Sequence, residues 1–162
     1  DGLVEASRGV CQIALVERHR ATGRISNGFV QGFAYQGDMA IASSVAHDSH
    51  HIIVVGTNRK MMAQAVNRLG EIGGGATIWK DGAEIGQVHL PIAGLMSDRP
   101  AAEVAAEAQT ILSGMQRCGC TLHNAFMQHS LLALVVIPAL RISDLGLVDV
   151  DQFALTDLFI SE

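Results

Sequence analysis

The continuous apolar run Ile52-Ile53-Val54-Val55-Gly56 constrains the fold of this chain more than any other segment. A strand covered on one face alternates apolar and polar residues, whereas a strand buried on both faces has no polar positions. The run therefore predicts a strand inside the sheet. Asn58 follows as a plausible N-cap of a helix that Gly73-Gly74-Gly75 ends. The apolar positions with helical spacing in between are Met62, Ala65, Val66 and Leu69.

Other segments give recognisable strand and helix signals. Asp81-Gly82 predicts a two-residue β-hairpin turn within the segment Ala76–Leu90. Pro100 is expected in the first turn of a second helix that Gly119 ends. The buried stripe predicted for this helix consists of Val104, Ala108, Ile111, Leu112 and Met115. Further strands are predicted over Val10–Val16, Ile25–Phe33, Met39–Val45, Gly146–Val150 and Phe153–Phe159, with a bend or bulge in the second of these at Gly28 and Gly32. The segment Leu131–Ile137 fits a helix or a strand, and Pro138 with the β-branched residues before it favours a strand.

These elements predict an α+β fold. Some strands are joined by a hairpin and others through helices, which favours a mixed, largely antiparallel sheet with helices packed on one face. The sequence contains no internal repeat or low-complexity linker. We therefore predict that residues 1–162 form a single domain.

The composition excludes several classes of function. The 11 Lys and Arg residues against 16 Asp and Glu give a net charge of −5 without a basic cluster, which argues against nucleic-acid and membrane partners. The longest apolar run has seven residues, whereas a membrane span needs ~20. A charged fraction of 17% and a mean hydropathy of +0.29 predict an apolar interface with another domain or subunit. Cys11, Cys118 and Cys120 predict reduced thiols and a cytoplasmic location.

The densest cluster of reactive side chains is His47-Asp48-Ser49-His50-His51, which directly precedes the apolar run. Loops held by rigid strands often carry functional sites. Histidine and aspartate can act as general acids and bases or as ligands of a divalent metal. An ordinary turn is the alternative interpretation, because Asp and Ser are common turn residues.

A metal site is the weaker of the two chemical interpretations. His47 and His50 would need two further ligands, and the spacing of Cys118 and Cys120 does not match a structural zinc site. The other available imidazoles are those of His19, His89, His123 and His129. His47, Asp48 and His50 remain the metal candidates.

Several motifs resemble the C-terminal domain of bacterial adenine deaminases in the amidohydrolase superfamily. The resemblance covers nearly the whole chain, although His51 stands where Asn is expected. The motifs are Val16-Glu17-Arg18-His19, Thr22-Gly23-Arg24-Ile25, Gly28-Phe29-Val30-Gln31-Gly32-Phe33, Ile41-Ala42-Ser43-Ser44-Val45-Ala46-His47-Asp48-Ser49-His50, Ile52-Ile53-Val54-Val55-Gly56-Thr57-Asn58, Glu71-Ile72-Gly73-Gly74-Gly75, Leu90-Pro91-Ile92-Ala93-Gly94-Leu95-Met96-Ser97-Asp98 and Gly146-Leu147-Val148-Asp149-Val150.

The resemblance implies hydrolytic deamination of adenine to hypoxanthine and ammonia. In that family a (β/α)₈ barrel carries divalent manganese or iron. This chain is shorter than the ~250 residues of such a barrel and has no His-x-His pair. The resemblance therefore implies that the catalytic barrel is a partner outside this chain, that the complete enzyme is a homo-oligomer, and that this chain alone is inactive.

The resemblance also suggests roles for the polar loop. We expect it to reach the mouth of the active site, with His47, Asp48 and His50 as catalytic residues and Ser43, Ser44 and Ser49 in contact with substrate. Two alternatives remain open: a purely structural or oligomerisation domain, and an autonomous metal-binding module.

Overall fold

The computed structural model describes residues 9–159, which form nine strands and three helices. The strands are β1 (Val10–Val16), β2 (Ile25–Gln31), β3 (Met39–Ser43), β4 (Ile52–Gly56), β5 (Gly75–Lys80), β6 (Ala83–His89), β7 (Leu140–Ser143), β8 (Gly146–Asp149) and β9 (Ala154–Thr156). The helices are α1 (Arg59–Ile72), α2 (Ala101–Arg117) and α3 (Ala125–Leu131). This content confirms the predicted α+β class.

The main sheet has six strands in the order β2-β1-β4-β3-β5-β6, and each pair of neighbours is antiparallel. Helix α1 connects β4 to β5, which run in the same direction because each is antiparallel to β3 between them. The chain therefore crosses through a helix between two strands that run in the same direction but are not neighbours in the sheet. A second sheet, β7-β8-β9, is also antiparallel.

Strand β4 is buried on both faces, as its sequence predicts. All five of its residues are buried, and the four apolar side chains alternate between two apolar clusters. Ile53 and Val55 belong to a cluster that includes Ile111 and Met115 of α2 and Leu147 of β8. On the opposite face, Ile52 and Val54 pack with four residues of α1, which are Met61, Met62, Ala65 and Leu69. Helices therefore cover both faces, whereas the sequence predicted them on one.

The ends of α1 follow the sequence signals. The Asn58 side chain accepts hydrogen bonds from the amides of Lys60 and Met61 at 3.0 and 3.2 Å. These amides have no partners within the helix, so the cap stabilises its first turn. Gly73 ends the helix in the left-handed region at φ 79°, which glycine adopts without steric cost.

The stripe predicted for α2 is only partly correct. Ile111 and Met115 are buried, but Ala108 and Leu112 are exposed. The helix approaches the sheet instead through Gly114, where a Cβ atom would lie 2.6 Å from Cγ2 of Ile78. Apolar periodicity does not reveal such a contact, because glycine carries no side chain.

Three predicted strands differ from the structure. Leu131 ends α3, and the segment 132–138 forms turns in which the Leu134 amide donates to the Leu131 carbonyl at 3.1 Å. Pro138 and the β-branched residues before it favoured a strand, but this segment pairs with no strand in the described structure. Strand β2 pairs with β1 without a bulge, and β9 is shorter than predicted. The irregular register lies between Ile78 and Trp79 in β5.

The structure bears on two further predictions, which concern membrane-spanning segments and the state of the cysteines. Within residues 9–159, no helix has the length and hydropathy needed to cross a membrane. All three cysteines are free and buried.

Glycine substitutions in the two long helices should have opposite effects on stability. Gly70 in α1 faces open space, so Gly70→Ala should raise the free energy of unfolding by about 0.5–1 kcal/mol. Gly114→Ala should lower it by about 1–3 kcal/mol, because the methyl group overlaps Ile78. Denaturant unfolding measures both changes. Effects of the same sign would contradict the packing of α2 on the sheet.

Candidate functional site

The polar loop 44–51 connects the ends of β3 and β4. The Asp48 side chain is 81% exposed, and the neighbouring Ser49 is also exposed. His47 and His50 are half-buried, and His51 is buried. The loop therefore exposes the Asp48 carboxylate to solvent, while the imidazoles of His47 and His50 on either side of it are partly buried.

Neighbouring segments hold the backbone of this loop. The His50 amide donates to the Ala46 carbonyl at 2.7 Å, and the His47 amide donates to the Ser130 carbonyl at 3.2 Å. His19 Nε2 lies 2.6 Å from the Ser49 carbonyl oxygen. Hydrogen bonds within the loop, to α3 and to the segment after β1 therefore hold the loop and restrict its conformational freedom.

Arg18 joins the loop to a second segment of the chain. Its Nε donates to the His50 carbonyl at 2.5 Å, and its Nη2 donates to the Ala93 carbonyl at 2.7 Å. A Cβ atom on Gly94 would lie 2.9 Å from Arg18 Nη2, so the absence of a side chain there lets the guanidinium approach. One guanidinium therefore bridges two loops.

The Glu17 carboxylate organises the turn after β1. It accepts hydrogen bonds from the amides of His19, Arg20 and Thr22 at 2.6, 2.8 and 3.0 Å, and from the Thr22 hydroxyl at 2.8 Å. These bonds, led by that of the Thr22 amide, lower the pKa of Glu17 to about 2, although burial opposes them. Glu17 is therefore charged at neutral pH and keeps Arg18 and His19 in place.

His51 occupies a buried position between two carboxylates. Its Nε2 lies 3.6 Å from Oδ1 of Asp144, and its Nδ1 lies 4.0 Å from Oε1 of Glu17. The Arg18 amide donates to Nδ1 at 3.4 Å. Burial lowers the pKa of His51, while the Asp144 and Glu17 carboxylates raise it. Asp144 lies in the turn between β7 and β8, so His51 connects the loop to the second sheet.

Ser43 and Ser44, which the sequence placed in contact with substrate, are completely buried. The Ser44 hydroxyl donates to the Gly94 carbonyl at 2.6 Å and accepts from the Gly75 amide at 2.8 Å. The Ser43 hydroxyl accepts from the Val45 amide at 2.9 Å. In this chain both hydroxyls bind backbone groups and support the loop from below.

The two half-buried imidazoles form an edge-on pair. The ring centroids of His47 and His50 are 5.1 Å apart, and His47 Nδ1 lies 4.0 Å from Oδ1 of Asp48. Burial, together with His47 and Arg18, lowers the pKa of His50, while Asp48 opposes this shift. A neutral imidazole is therefore favoured at His50 near pH 7, and within the described part of the chain its buried Nδ1 has no hydrogen-bond partner.

The described residues do not provide a metal site. Between residues 9 and 159, no group of three His, Cys, Asp or Glu side chains is arranged to hold an ion. The exposed Asp48 leaves His47 and His50 without a third converging ligand. Residues 9–159 therefore do not fit the divalent metal that the family resemblance implies.

Sequence reasoning found the loop but not most of the residues that hold it. In the sequence, His19 with Arg18 and Arg20 fits a solvated hairpin end as well as an anion site, so these residues do not indicate their role in holding the loop. His129, in α3 beneath the loop, is completely buried, and burial lowers the pKa of its imidazole to about 4. The clue at Glu17 was an acid that directly follows the predicted strand and stands five residues before Thr22, at the start of a turn whose amides a carboxylate can cap.

Comparisons of the sequence with known proteins point to one family. A family described as "Adenine deaminase C-terminal domain" matches residues 1–154. The chain is 72% identical over 153 residues to an adenine deaminase of Ruegeria sp. (strain TM1040), covering 94% of this chain and 26% of the relative. It is 69% identical over 160 residues to an adenine deaminase of Paracoccus denitrificans (strain Pd 1222), covering 99% and 27%. The chain thus spans about a quarter of the length of these relatives.

Glu17→Gln should destabilise the chain at neutral pH but not at low pH. The folded-state pKa of Glu17 is about 2 against an ordinary value of 4.5, so its carboxylate stabilises the fold above pH 4.5. That contribution disappears as the pH falls from 4.5 to 2 and the carboxyl group of the parent protein becomes protonated. Denaturant unfolding of both proteins between pH 7 and pH 2.5 measures the difference.

Glu103→Gln provides the control, because it removes an exposed carboxylate from the first turn of α2. Its cost should stay below about 1 kcal/mol. A Glu17→Gln difference that remains constant from neutral to acidic pH would contradict the role assigned to the carboxylate.

Proposed function

Because the chain belongs to the adenine deaminase C-terminal domain family, we propose that it is one part of an enzyme that deaminates adenine hydrolytically to hypoxanthine and ammonia. The relatives that carry the name adenine deaminase are about four times as long as this chain. The remaining length can hold a catalytic barrel, which needs ~250 residues. In this proposal the chain is an accessory to a catalytic domain in the same polypeptide, and it is inactive alone.

The loop 44–51 contributes to the mouth of the active site in this proposal. The observation that carries it is the exposure of the Asp48 carboxylate on a loop whose backbone is held by Arg18 and α3. A reactive group at a fixed position is what proton transfer to a bound substrate requires. An unrestrained surface loop would lack that precision.

Hydrolytic deamination needs two proton transfers. A water oxygen bonds to the purine carbon that carries the amino group, and the carbon–nitrogen bond then breaks to release ammonia. Asp48 accepts a proton from the water or hydrogen-bonds to the purine, and His47 or His50 exchanges protons with the reacting groups. Exposed Ser49 contacts the substrate, while buried Ser43 and Ser44 position the loop.

The manganese or iron of the complete enzyme lies in the catalytic barrel in this proposal. No three side chains within residues 9–159 are arranged to hold an ion, so no step is assigned to a metal bound by this chain. The complete enzyme is a homo-oligomer, consistent with the exposed apolar residues of this chain, such as Phe153 and Val136.

A structural role is the second candidate. The buried contacts of Glu17, His51 and Asp144 connect the loop to both sheets, as a domain that only supports its neighbours would require. In that case changes in the loop would alter stability and leave the kinetics unchanged.

Asp48→Ala in the full-length enzyme should lower kcat/KM for adenine by about tenfold or more, because a proton-transfer group is lost. The free energy of unfolding should change by less than about 0.5 kcal/mol, since the side chain is exposed and its contact with His47 is 4.0 Å long. Steady-state kinetics and denaturant unfolding of the same preparation measure both quantities.

Asp151→Ala is a suitable control, because it removes an exposed carboxylate from the turn between β8 and β9. It should change neither quantity appreciably. Unchanged kinetics of Asp48→Ala would reject the catalytic role of the loop, and reduced stability with normal kinetics would favour the structural one.

A further inference from the structure

One face of the six-stranded sheet is covered over only part of its width. Helix α1 packs on β3, β4 and β5 through its buried residues. The same face of β1 and β2 lies beside α1 without a covering helix in the range 9–159. The register pairs Gln12 with Phe29, Ala14 with Asn27 and Val16 with Ile25, and all six side chains line one groove.

The groove is apolar and large. Its volume is about 980 Å³, and among the described residues that line it Arg59 is the only charged one. Ile25 is 55% exposed and Phe29 47% exposed, although both lie in a strand of the main sheet. Leu158 and Phe159 add apolar surface at its rim. Exposed apolar surface of this extent is typical of an interaction site.

The dimensions of the groove match an α-helix. Its floor is two strands wide, which is about 10 Å and equals the diameter of a helix with its side chains. Gln12 and Val16 are separated by about 13–14 Å along β1, which corresponds to roughly nine helical residues, or about two and a half turns. Helix α1 forms one wall through Met62, Ala63 and Val66, so a second helix would complete the layer beside it.

We propose that an apolar helix from the part of the polypeptide outside this chain docks in this groove, beside α1. The inference rests on the proposed function, in which the chain is one part of a longer enzyme. The relatives have about three-quarters of their length outside the matched region, and that length can supply a large partner attached to the same polypeptide. Attachment keeps that partner at high effective concentration and favours docking over binding of a separate protein.

The position of the groove connects this docking to the loop. Val16 and Ile25 lie at one end of the groove, and Val16 is followed directly by Glu17 and Arg18. Arg18 holds the loop through the His50 carbonyl. A helix seated in the groove therefore brings the rest of the enzyme to the sheet end that carries Asp48.

Cysteine labelling of the full-length enzyme tests this docking directly. Ala63→Cys places a thiol on the groove wall, and Glu71→Cys places one on the side of α1 turned toward Arg68 and away from the groove. Both positions are exposed in this chain, and its three native thiols are buried. A maleimide should label Ala63→Cys at least about tenfold more slowly than Glu71→Cys in the native enzyme, and both equally in denaturant.

Phe29→Cys, on the part of the groove floor formed by β2, is a second probe in case the first disturbs docking. Equal native labelling of the groove and control positions would overturn the proposal. Protection that disappears on dilution would show that a second copy fills the groove, which also overturns it. Adenine turnover is measured separately, so protection in a protein without turnover would reject the proposed function and leave the docking intact.

Discussion

The hydrogen bonds of Glu17 and Arg18 are the interactions on which the site depends most. These adjacent residues follow strand β1 and use a buried carboxylate and a guanidinium to fix three loops. Each acts on backbone groups, so it holds the path of the chain independently of neighbouring side chains. Charge-assisted hydrogen bonds of this kind are stronger than neutral ones. The exposed Asp48 thereby has a defined position although it makes few contacts itself.

This anchoring starts from strands that are held in the sheet, because β1 pairs with β4 and β4 is packed on both faces. Ile53 and Val55 pack on one face of the sheet, while Ile52 and Val54 pack on the other. A strand held on both faces is part of the most stable region of a fold. The loop before β4 is therefore attached to a well-packed end of an inner strand. The groove lined by β1 and β2 shows that another part of the same sheet is not covered by a helix of the described residues. The described residues thus form a well-packed unit in which the β1–β2 part of one sheet face is uncovered.

Local signals in the sequence predicted much of the fold. The β-branched run of β4, the Asn58 cap and the Asp81-Gly82 hairpin each act over a few residues, and the structure confirms all three. The errors arose where distant residues decide the outcome. Helix α2 approaches the sheet through Gly114, and the segment after Leu131 pairs with no strand in the described structure. Likewise, the polar loop was visible as a cluster, but the contact of His51 with Asp144 requires a fold that brings together residues 93 positions apart.

We propose that this chain supports adenine deamination by a longer polypeptide without performing it. The most direct test compares adenine turnover by the purified 162-residue chain with turnover by the longer polypeptide under the same conditions. We expect hypoxanthine to form with the longer polypeptide and no turnover above the uncatalysed rate with the chain alone. Turnover by the chain alone at the rate of the longer polypeptide would contradict the account.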